Sequence, residues 1–376
     1  MTGSTFVSRL LGGTSPIFID VFEQSRNIGG RASSCGFANI VVNHGAQFIR
    51  SEGNHPVFTS WLKQGIIKPL SHKHNITSVD GGSFCGFPLS KSQFYTPTNG
   101  TMNSIVQTEI DSWDSKVVNL RKSSKVLSVS QRDSCDNNNS SNFEVQFQER
   151  AADGSILLSS NSYDVVVFTD VGAILNNMDG NTLPSKFVEN VRRVVSDNNG
   201  RLPLFSTIVK FTESLPTDAE VIVFNDEKAG VGVHYARKIN ADTWVLISST
   251  QFAKAEILAR PMYDSNNKII PQNKNALREF PGKAMAYEFL SNLNSNSKDH
   301  HSKAEIVSLE CQRWGSAISQ PLSNDRNKKH FIEGENFLYA ASDFLSGYGG
   351  IEGAVTSATN AADSLMGKIG SYSYST

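Results

Sequence analysis

The sequence predicts an α/β fold in which buried parallel strands are joined by helices. Residues 16–23 form a short apolar run without strict alternation of polar and apolar side chains, which is typical of a strand covered on both faces. Residues 2–11 precede it and repeat apolar side chains at helical spacing. Residues 337–341 form another short apolar run, and a helical pattern follows it. Together these stretches predict a layer of parallel strands with helices packed on it.

The first predicted helix resembles the one that opens a Rossmann unit. Its apolar face is formed by Phe6, Val7, Leu10 and Leu11. A Rossmann unit has a strand before this helix and a G-x-G-x-x-G turn between the two. The chain starts at Met1, so only the third glycine has a counterpart, Gly3, and we expect the helix to lack support at its N-terminus. An internal start within a longer protein and a true truncation both account for this, and the sequence leaves both open.

Glu23 ends the strand predicted at residues 16–23. An acid at this point of a dinucleotide-binding unit accepts hydrogen bonds from the ribose hydroxyls. Gly29 and Gly30 follow and let the backbone approach a ligand, and Arg31 stands where a pyrophosphate needs a donor. The alternative is that Glu23 is an ordinary surface glutamate. That interpretation explains Glu23 but does not explain the two glycines and the arginine that follow it.

Composition excludes several classes of protein. The 376 residues carry a formal net charge of −1 and are 39% hydrophobic, which fits a globular protein of one large or two smaller domains. The near-neutral balance makes nucleic acid an unexpected partner, and no apolar run reaches the roughly 20 residues of a membrane span. The composition does not assign a cellular compartment: the cytoplasm is the default expectation, and an organelle is the alternative. Four separated cysteines predict neither a zinc site nor a disulfide scaffold: Cys35, Cys85, Cys135 and Cys311.

A second glycine turn follows the apolar run at residues 39–42. Gly45 and Ala46 are small enough for a flat ring system to lie against the backbone, Gln47 offers both a donor and an acceptor, and Phe48 completes the turn. The neighbouring His44 is either a ligand or base, or a structural histidine beside a turn.

The centre of the chain predicts an antiparallel meander and then a second domain. Residues 125–130 read as a strand, residues 133–142 as a polar insertion, residues 143–159 as a hairpin and residues 163–169 as a returning buried strand. The predicted nucleotide-binding domain comprises residues 1–58, 97–176 and 334–376. The predicted substrate domain, built on a mixed sheet, comprises residues 59–96 and 177–333.

Three residues of the second domain are candidates for a substrate pocket. Arg313 and Trp314 could stack and donate hydrogen bonds at the mouth of a pocket, whereas a buried Trp beside a surface Arg is the structural alternative. His234 is the third candidate, and a strand histidine without chemistry is its alternative. The pair His300–His301 lacks the spacing of a metal site.

The C-terminal stretch combines an acid, glycines and a helix of small residues. Asp343 follows the strand predicted at residues 337–341 and could accept hydrogen bonds from ligand hydroxyls. The amides at Ile351 and Glu352 would start a helix with a positive dipole end facing a ligand. Small and apolar side chains at helical spacing form one stripe: Ala354, Val355, Ala358, Ala361, Ala362 and Leu365. A plain amphipathic terminal helix explains the stripe but not the acid and glycines before it.

Taken together, these motifs resemble the renalase-like branch of the FAD-dependent amine oxidase superfamily over nearly the whole chain. The resemblance implies that Glu23 binds the adenosine ribose, Arg31 the pyrophosphate, and Val126 the adenine through its backbone. It also implies that Asp343 and the helix start, from Ile351 through Ala354, bind the ribityl chain and the isoalloxazine. The chain departs from the family where the first two dinucleotide glycines are absent and where Ser342 replaces the usual glycine.

By this resemblance the chain would hold FAD noncovalently, pass a hydride from a small-molecule substrate to flavin N5, and return the electrons to molecular oxygen. The substrate would be an amine or a dihydronicotinamide-type ring. The protein would bind and orient, so no dedicated catalytic acid or base is expected. The alternative is a noncatalytic scaffold that keeps the fold with weakened or lost FAD binding. A flavin spectrum of the purified protein separates the two.

Overall fold

A computed structural model describes residues 1–13, 17–53, 55–70, 75–132, 142–151, 153–176, 183–196, 201–225, 232–262, 264–265, 270–296, 303–319, 330–346 and 348–372. The helices of these residues are α1 (Thr2–Leu11), α2 (Pro56–Lys63), α3 (Asn103–Asp111), α4 (Val171–Asn176), α5 (Ser185–Ser196), α6 (Thr250–Ala259), α7 (Lys274–Leu277), α8 (Lys283–Asn296) and α9 (Gly350–Tyr372).

The strands, in chain order, are β1 (Ile19–Glu23), β2 (Ser34–Phe37), β3 (Ile40–Asn43), β4 (Ile49–Ser51), β5 (Ile67–Pro69), β6 (Ile76–Ser78), β7 (Gln93–Pro97), β8 (Val118–Lys122), β9 (Ser124–Gln131), β10 (Phe143–Arg150), β11 (Ile156–Tyr163), β12 (Val166–Phe168), β13 (Arg201–Phe211), β14 (Val221–Val223), β15 (Val233–Lys238), β16 (Thr243–Ser248), β17 (Ile306–Ser319), β18 (Phe331–Glu333) and β19 (Leu338–Ala341).

The chain packs into two compact units. Unit 1 comprises Met1–Gly30, Asn103–Gly200 and Ser319–Thr376, and unit 2 comprises Arg31–Met102 and Arg201–Ile318. The functional domain boundaries given by the sequence analysis stay a prediction.

Unit 1 contains short parallel pairings and one antiparallel meander. Strand β1 pairs in parallel with β8, and β12 pairs in parallel with β19, which pairs on its other side with β18. Strands β9, β10 and β11 form the antiparallel meander that the sequence predicts. The predicted polar insertion lies outside the described residues except for Asn142, which precedes β10.

The two long helical patterns of unit 1 form as predicted. Helix α1 buries Phe6, Val7 and Leu10. The small side chains of the α9 stripe let this helix lie close to its neighbours, and every member of the stripe is buried. Both helices contribute to one apolar cluster with β19, which we call the helix-side cluster; it includes Phe6, Leu10, Tyr339, Ala341, Ala358 and Ala362.

Two strand predictions for unit 1 need correction. Residues 16–23 were expected to be buried on both faces, yet every residue of β1 is only half-buried and Phe18 is 87% exposed. In the described residues β1 has a strand partner on one edge only, so its other edge remains open. The returning strand is also shorter than residues 163–169, because Tyr163 ends β11 and only Val166–Phe168 pairs with β19.

Unit 2 is built on a mixed sheet of six strands in the order β17-β13-β16-β15-β14-β6. Strands β13, β16, β15 and β14 pair antiparallel, whereas β14 and β6 pair in parallel. Two apolar clusters contain alternate residues of these strands. One contains Trp244, Leu246 and side chains of α8, and the other contains Val245, Ile247 and an aromatic group around Phe48. The hairpin β2–β3 and the antiparallel group β4-β7-β5 complete the unit.

Candidate functional site

The N-terminal corner of unit 1 consists of Glu23 and the turn that follows β1. The half-buried Glu23 carboxylate accepts a hydrogen bond from the backbone N–H of Ser25, with a distance of 2.8 Å from that nitrogen to Oε1. The carbonyl of Ser25 in turn accepts from the backbone N–H of Ser123, which connects β8 to β9. This bond ties the Glu23 turn to the start of β9, the strand that carries Val126.

Gly29 and Gly30 complete the N-terminal corner with left-handed backbone conformations. Their φ angles are 116° and 54°, values that L-residues with a side chain rarely adopt. A Cβ placed on Gly30 would meet no atom within 4 Å, so the backbone there faces open space. The corner therefore leaves bare backbone accessible to a ligand. Gly3 differs, because its Cβ would make only an ordinary contact of 3.6 Å with Thr169 Oγ1.

The C-terminal corner of unit 1 is centred on Asp343, which is 2% exposed. The hydroxyl of Ser319 donates to Oδ2 over 2.7 Å, and the hydroxyl of Ser342 donates to Oδ1 over 3.1 Å. The backbone N–H of Gly350 donates to Ser319 Oγ over 2.9 Å. Ser319 thus links the carboxylate directly to the first residue of α9.

The start of α9 forms the remainder of the C-terminal corner. Gly349 and Gly350 have φ angles of 67° and 57°, and a Cβ on Gly350 would meet no atom within 4 Å. Glu352 lies in the first turn and is 5% exposed, where its negative charge is favoured by the positive end of the helix dipole. A Cβ on Gly353 would come within 3.4 Å of Asp343 Cα, so this glycine allows the helix to approach the acid.

The remaining cofactor candidates near the chain start are in unit 2. Among them, the backbone of Arg31 packs closely against Gly45. Arg31 accepts a hydrogen bond at its carbonyl from the N–H of Ala46 over 2.8 Å, and its guanidinium donates to the carbonyl of Ala317 over 3.4 Å. A Cβ on Gly45 would lie 2.0 Å from the Arg31 carbonyl oxygen. Glycine at position 45 is therefore required by the chain's own backbone. The sequence analysis explained this glycine only by the approach of a ligand.

Gln47 carries a buried polar atom that has no partner among the described residues. The side chain is 3% exposed, and its amide nitrogen donates to the carbonyls of Asn43 and Gly45 over 2.8 and 2.9 Å. Within the described residues its Oε1 has no hydrogen-bond partner. A buried acceptor left unpaired costs about 1–3 kcal/mol, so Oε1 suits a donor that a ligand would bring. The Phe48 ring, by contrast, packs against Phe84 and Phe87, which leaves its backbone as the part that a ligand could contact.

His44 and Trp314 form a stacked pair in unit 2. Their ring centroids are 5.4 Å apart with 29° between the planes, and the indole N–H donates to the His44 carbonyl over 3.1 Å. The His44 Nε2 lies 3.3 Å from the Ser33 hydroxyl. Burial lowers the pKa of His44, so its ring is neutral near pH 7 and stacks without a charge.

Arg313 and Trp314 are successive residues of β17, and their role at the mouth of a pocket stays a prediction. Successive residues of a strand point to opposite faces, and the Arg313 guanidinium donates to the carbonyl of Ile270 over 3.2 Å. His234 is placed as a strand histidine: its Nε2 lies 3.0 Å from the Ser83 carbonyl, and its ring meets Phe84 edge to face. These contacts favour the structural alternative for His234.

Two residues of the candidate site were not predicted from the sequence. Ser319 is the last residue of a long strand and lies 24 positions before the acid that it contacts, so no local motif marks it. Ser357 in α9 accepts from the backbone N–H of Ser342 over 2.8 Å and fixes the residue before Asp343. A small polar residue inside an otherwise apolar helix stripe was the available signal for Ser357.

Within the described part of the chain, no helix is long and apolar enough to cross a membrane, and no group of three or more His, Cys, Asp or Glu side chains could hold a metal ion. The pair His300–His301 lies outside the described residues. A cavity of about 610 Å³ in unit 2 lies between the β2–β3 turn, Arg278 and the residues around Leu309, and no predicted site residue lines it.

No protein-family profile matches the sequence, and no curated protein matches it. Solved structures do share its fold. The structure of cyclohexylamine oxidase from Brevibacterium oxydans IH-35A superposes with a TM-score of 0.61 over 98% of this chain and 97% of that chain, at 12% identity. Reduced UDP-galactopyranose mutase superposes with a TM-score of 0.59 over 97% and 93% of the two chains, at 11% identity. The chain has the α/β fold of these two solved structures, which confirms the predicted fold class.

Proposed function

We propose that this protein is an FAD-dependent oxidoreductase whose flavin is held noncovalently, with unit 1 as the principal binding unit. The C-terminal corner carries the proposal. A buried carboxylate, a hydroxyl and the first amide of α9 are joined there in one hydrogen-bonded chain beside two left-handed glycines. A terminal helix that only packed on a sheet would need none of these groups. Similarity of fold to an oxidase supports the same class of chemistry.

The residues present fit the proposed ligand. The Glu23 and Asp343 carboxylates are acceptors for the ribose and ribityl hydroxyls, and the open backbone at Gly30 admits a phosphate group to the N–H groups of the turn. The unpartnered Gln47 Oε1 suits an N–H donor such as that of a flavin pyrimidine ring. Val126 would contact the adenine through its backbone, and Arg31 would face the pyrophosphate.

The role of the α9 start is electrostatic. Its amides and helix dipole favour negative charge, and the chain of hydrogen bonds from Asp343 through Ser319 fixes Gly350 before any ligand arrives. When bound, FAD supplies the ring that accepts a hydride at N5 and later returns two electrons to molecular oxygen. The protein's own contribution would be to bind and orient the flavin and the substrate.

The motifs in the sequence that resemble renalase-like amine oxidases favour a small-molecule substrate that gives up a hydride, either an amine or a dihydronicotinamide-type ring. In unit 2, the neutral His44 and Trp314 stack offers a fixed aromatic surface for such a ring. Anaerobic mixing of the reconstituted protein with each class tests this. The reducing class bleaches the visible flavin bands, and admission of oxygen restores them. A flavin that stays oxidised with both classes contradicts the substrate proposal.

A noncatalytic scaffold is the second candidate, and the N-terminal corner favours it. The Glu23 carboxylate already accepts a hydrogen bond from the backbone N–H of Ser25 in its own turn. A protein of this kind would keep the fold and show no measurable FAD affinity.

A further inference from the structure

Strand β11 lies at the edge of the antiparallel meander of unit 1. It pairs with β10 on one side and, among the described residues, with no strand on the other. The pairing covers all eight residues of Ile156–Tyr163 without a shift in register. None of these residues is charged, and none is proline. A regular edge of this kind presents a row of backbone N–H and C=O groups that another strand can bind.

Other edge strands of the molecule carry the usual protection against such pairing. Strand β5, at the edge of β4-β7-β5, is three residues long and contains Lys68 and Pro69. Strand β18, at the edge of its sheet, is also three residues long and ends in Glu333. Short length, a charge or a proline each disfavours the addition of a further strand. Strand β11 has none of these features, so its edge is suited to a further strand.

The first residues of β11 expose three large apolar side chains in succession. Ile156, Leu157 and Leu158 are 56%, 54% and 74% exposed, and the part of the chain that the structure describes contains no other such run. We call these three residues the apolar triplet. Because strand side chains alternate, Ile156 and Leu158 lie on one face of the meander and Leu157 on the other. A strand that covers this edge therefore meets apolar side chains on both faces.

Hydrogen bonds within the meander show which backbone groups of the apolar triplet point outward. The backbone N–H of Arg150 donates to the carbonyl of Ser123, beside the start of β9, over 3.2 Å. Arg150 lies opposite Ile156, so these two residues do not bond to each other. Bonded and non-bonded pairs alternate along an antiparallel ladder. The backbone groups of Ile156 and Leu158 consequently point away from β10, whereas those of Leu157 point toward it.

From these observations we propose that the apolar triplet is an interface at which two copies of this chain pair antiparallel through their β11 strands. A two-fold axis at Leu157 places Ile156 of each copy opposite Leu158 of the other. The outward backbone groups of these two residues then bond across the axis, and Leu157 meets its own counterpart in the pair between them. The two meanders form one continuous antiparallel sheet.

Charge and symmetry favour a second copy as the occupant of this edge. In a two-fold pair the residue on the axis meets itself, so a charge there would lie opposite a like charge. The apolar triplet carries no charge, and each of its members meets an apolar residue of the other copy. An axis at Ser159 would keep the same bonding pattern but would place Leu158 opposite Ser160. The match of apolar side chains therefore selects the axis at Leu157.

Sedimentation of the full chain over a dilution series tests the interface. No flavin is added, so the result is independent of the proposed function. We expect a dimer whose fraction rises with concentration, and Leu157→Lys should raise its dissociation constant by at least about tenfold, because two ammonium groups would meet at the axis. Leu258→Lys is the matched control, since this leucine of α6 is 83% exposed and lies outside β11.

Two outcomes of the sedimentation experiment overturn the proposal. One is a chain that stays monomeric over the whole dilution series, which would leave the edge to a different protein. The other is a Leu157→Lys variant that dimerises as tightly as the Leu258→Lys control.

Cysteine cross-linking tests the register and does not depend on the lysine variants. Residues of a non-bonded antiparallel pair have Cα atoms about 4.5 Å apart, which is within disulfide range. Leu157→Cys should therefore form a disulfide between two copies after oxidation, whereas Ser159→Cys should not. Peptide mass spectrometry distinguishes these disulfides from any formed by the natural cysteines. A cross-link through Ser159→Cys alone, or through neither variant, contradicts the axis at Leu157.

Amide hydrogen exchange separates a second copy from cover by another segment of the same chain. The outward N–H groups of Ile156 and Leu158 should exchange rapidly in dilute protein and at least about tenfold more slowly in concentrated protein. Slow exchange of both groups in the dilute monomer would show that the chain covers its own edge, and the proposal would then be wrong.

Discussion

The two corners of unit 1 that carry carboxylates differ in how far they are built before a ligand arrives. At the C-terminal corner Asp343 is buried, and its oxygens accept from Ser319 and Ser342, so its geometry is fixed. At the N-terminal corner Glu23 is half-buried and is held by one bond from its own turn, and the glycines face open space. Pre-organisation lowers the entropy cost of binding. We therefore expect the C-terminal corner to govern both stability and affinity, and the N-terminal corner to govern affinity alone.

The largest effect is expected from Asp343→Ala. Removing a buried carboxylate breaks a charge-assisted bond worth roughly 1.5–3 kcal/mol, which corresponds to an FAD dissociation constant about 10- to 150-fold higher. It also leaves the Ser319 hydroxyl without its acceptor, so the melting temperature falls. Titration of flavin fluorescence measures the dissociation constant, and a thermal melt measures the melting temperature. Asp363→Ala on the exposed face of α9 is the control. Equal FAD affinity in the Asp343 and Asp363 variants contradicts the placement.

Gly353→Val tests whether close approach of α9 to Asp343 matters. The added Cβ would lie 3.2 Å from Ser346 Cβ and 3.4 Å from Asp343 Cα, and overpacking of this kind costs about 1–3 kcal/mol. We expect a lower midpoint of urea unfolding and a weaker FAD affinity. Gly367→Val is matched to it, because it lies in the same helix with open space around its Cβ position. Indistinguishable urea midpoints for the two variants would show that the C-terminal corner tolerates a displacement of α9.

A smaller effect is expected from Glu23→Gln, and it sharpens the contrast between the corners. The amide oxygen keeps an acceptor for the Ser25 N–H but loses the negative charge, in a site that water still reaches. FAD affinity should fall by less than about tenfold with the melting temperature unchanged. The exposed Glu189→Gln serves as control. A melting temperature that drops as far as in Asp343→Ala would remove the distinction between a built and an open corner.

The smallest effect concerns the strand that carries the N-terminal corner. Burial by itself raises the pKa of the Asp20 carboxyl, but hydrogen bonds from Tyr163 and Asn119 and the charge of Arg121 hold it below its ordinary value of 3.8. A carboxylate whose pKa is lowered by folding adds stability above the unfolded-state pKa, and that stability is lost as the pH falls through the folded-state pKa. Asp20→Asn should therefore lower the urea midpoint slightly at pH 7, and this difference should shrink as the pH falls through the folded-state pKa of Asp20. A difference that persists in acid would point to packing instead of charge.

Local patterns in the sequence account for much of unit 1. Helical spacing predicts α1 and the buried stripe of α9, because one period governs both the sequence and the packed face. Burial of β1 could not be predicted in the same way. An apolar run shows that a strand can be covered on both faces, whereas exposure at its edge depends on a neighbouring strand elsewhere in the chain.

In the candidate site, too, contiguous residues could be predicted from the sequence and contacts between distant residues could not. Asp343 and the glycines before α9 are contiguous and could be found from the sequence, but Ser319 contacts them from a distant strand end. Arg313 and Trp314 are adjacent in the sequence, but their hydrogen bonds to the carbonyls of Ile270 and His44 are contacts that only the fold creates. Gly45 was identified as a small residue, while the reason for it, the Arg31 carbonyl, is a contact that only the fold creates.

FAD binding is the central claim, and the ratio of flavin to protein in the purified chain tests it most directly. The protein is purified, incubated with excess FAD, freed of unbound ligand by gel filtration and measured by its visible absorbance. The account predicts oxidised-flavin bands that co-elute with the protein and are released on denaturation, and a higher melting temperature with FAD than without, because a ligand that binds only the native state stabilises it. A folded protein that elutes without flavin absorbance and melts at the same temperature with and without FAD would contradict the account and favour the scaffold.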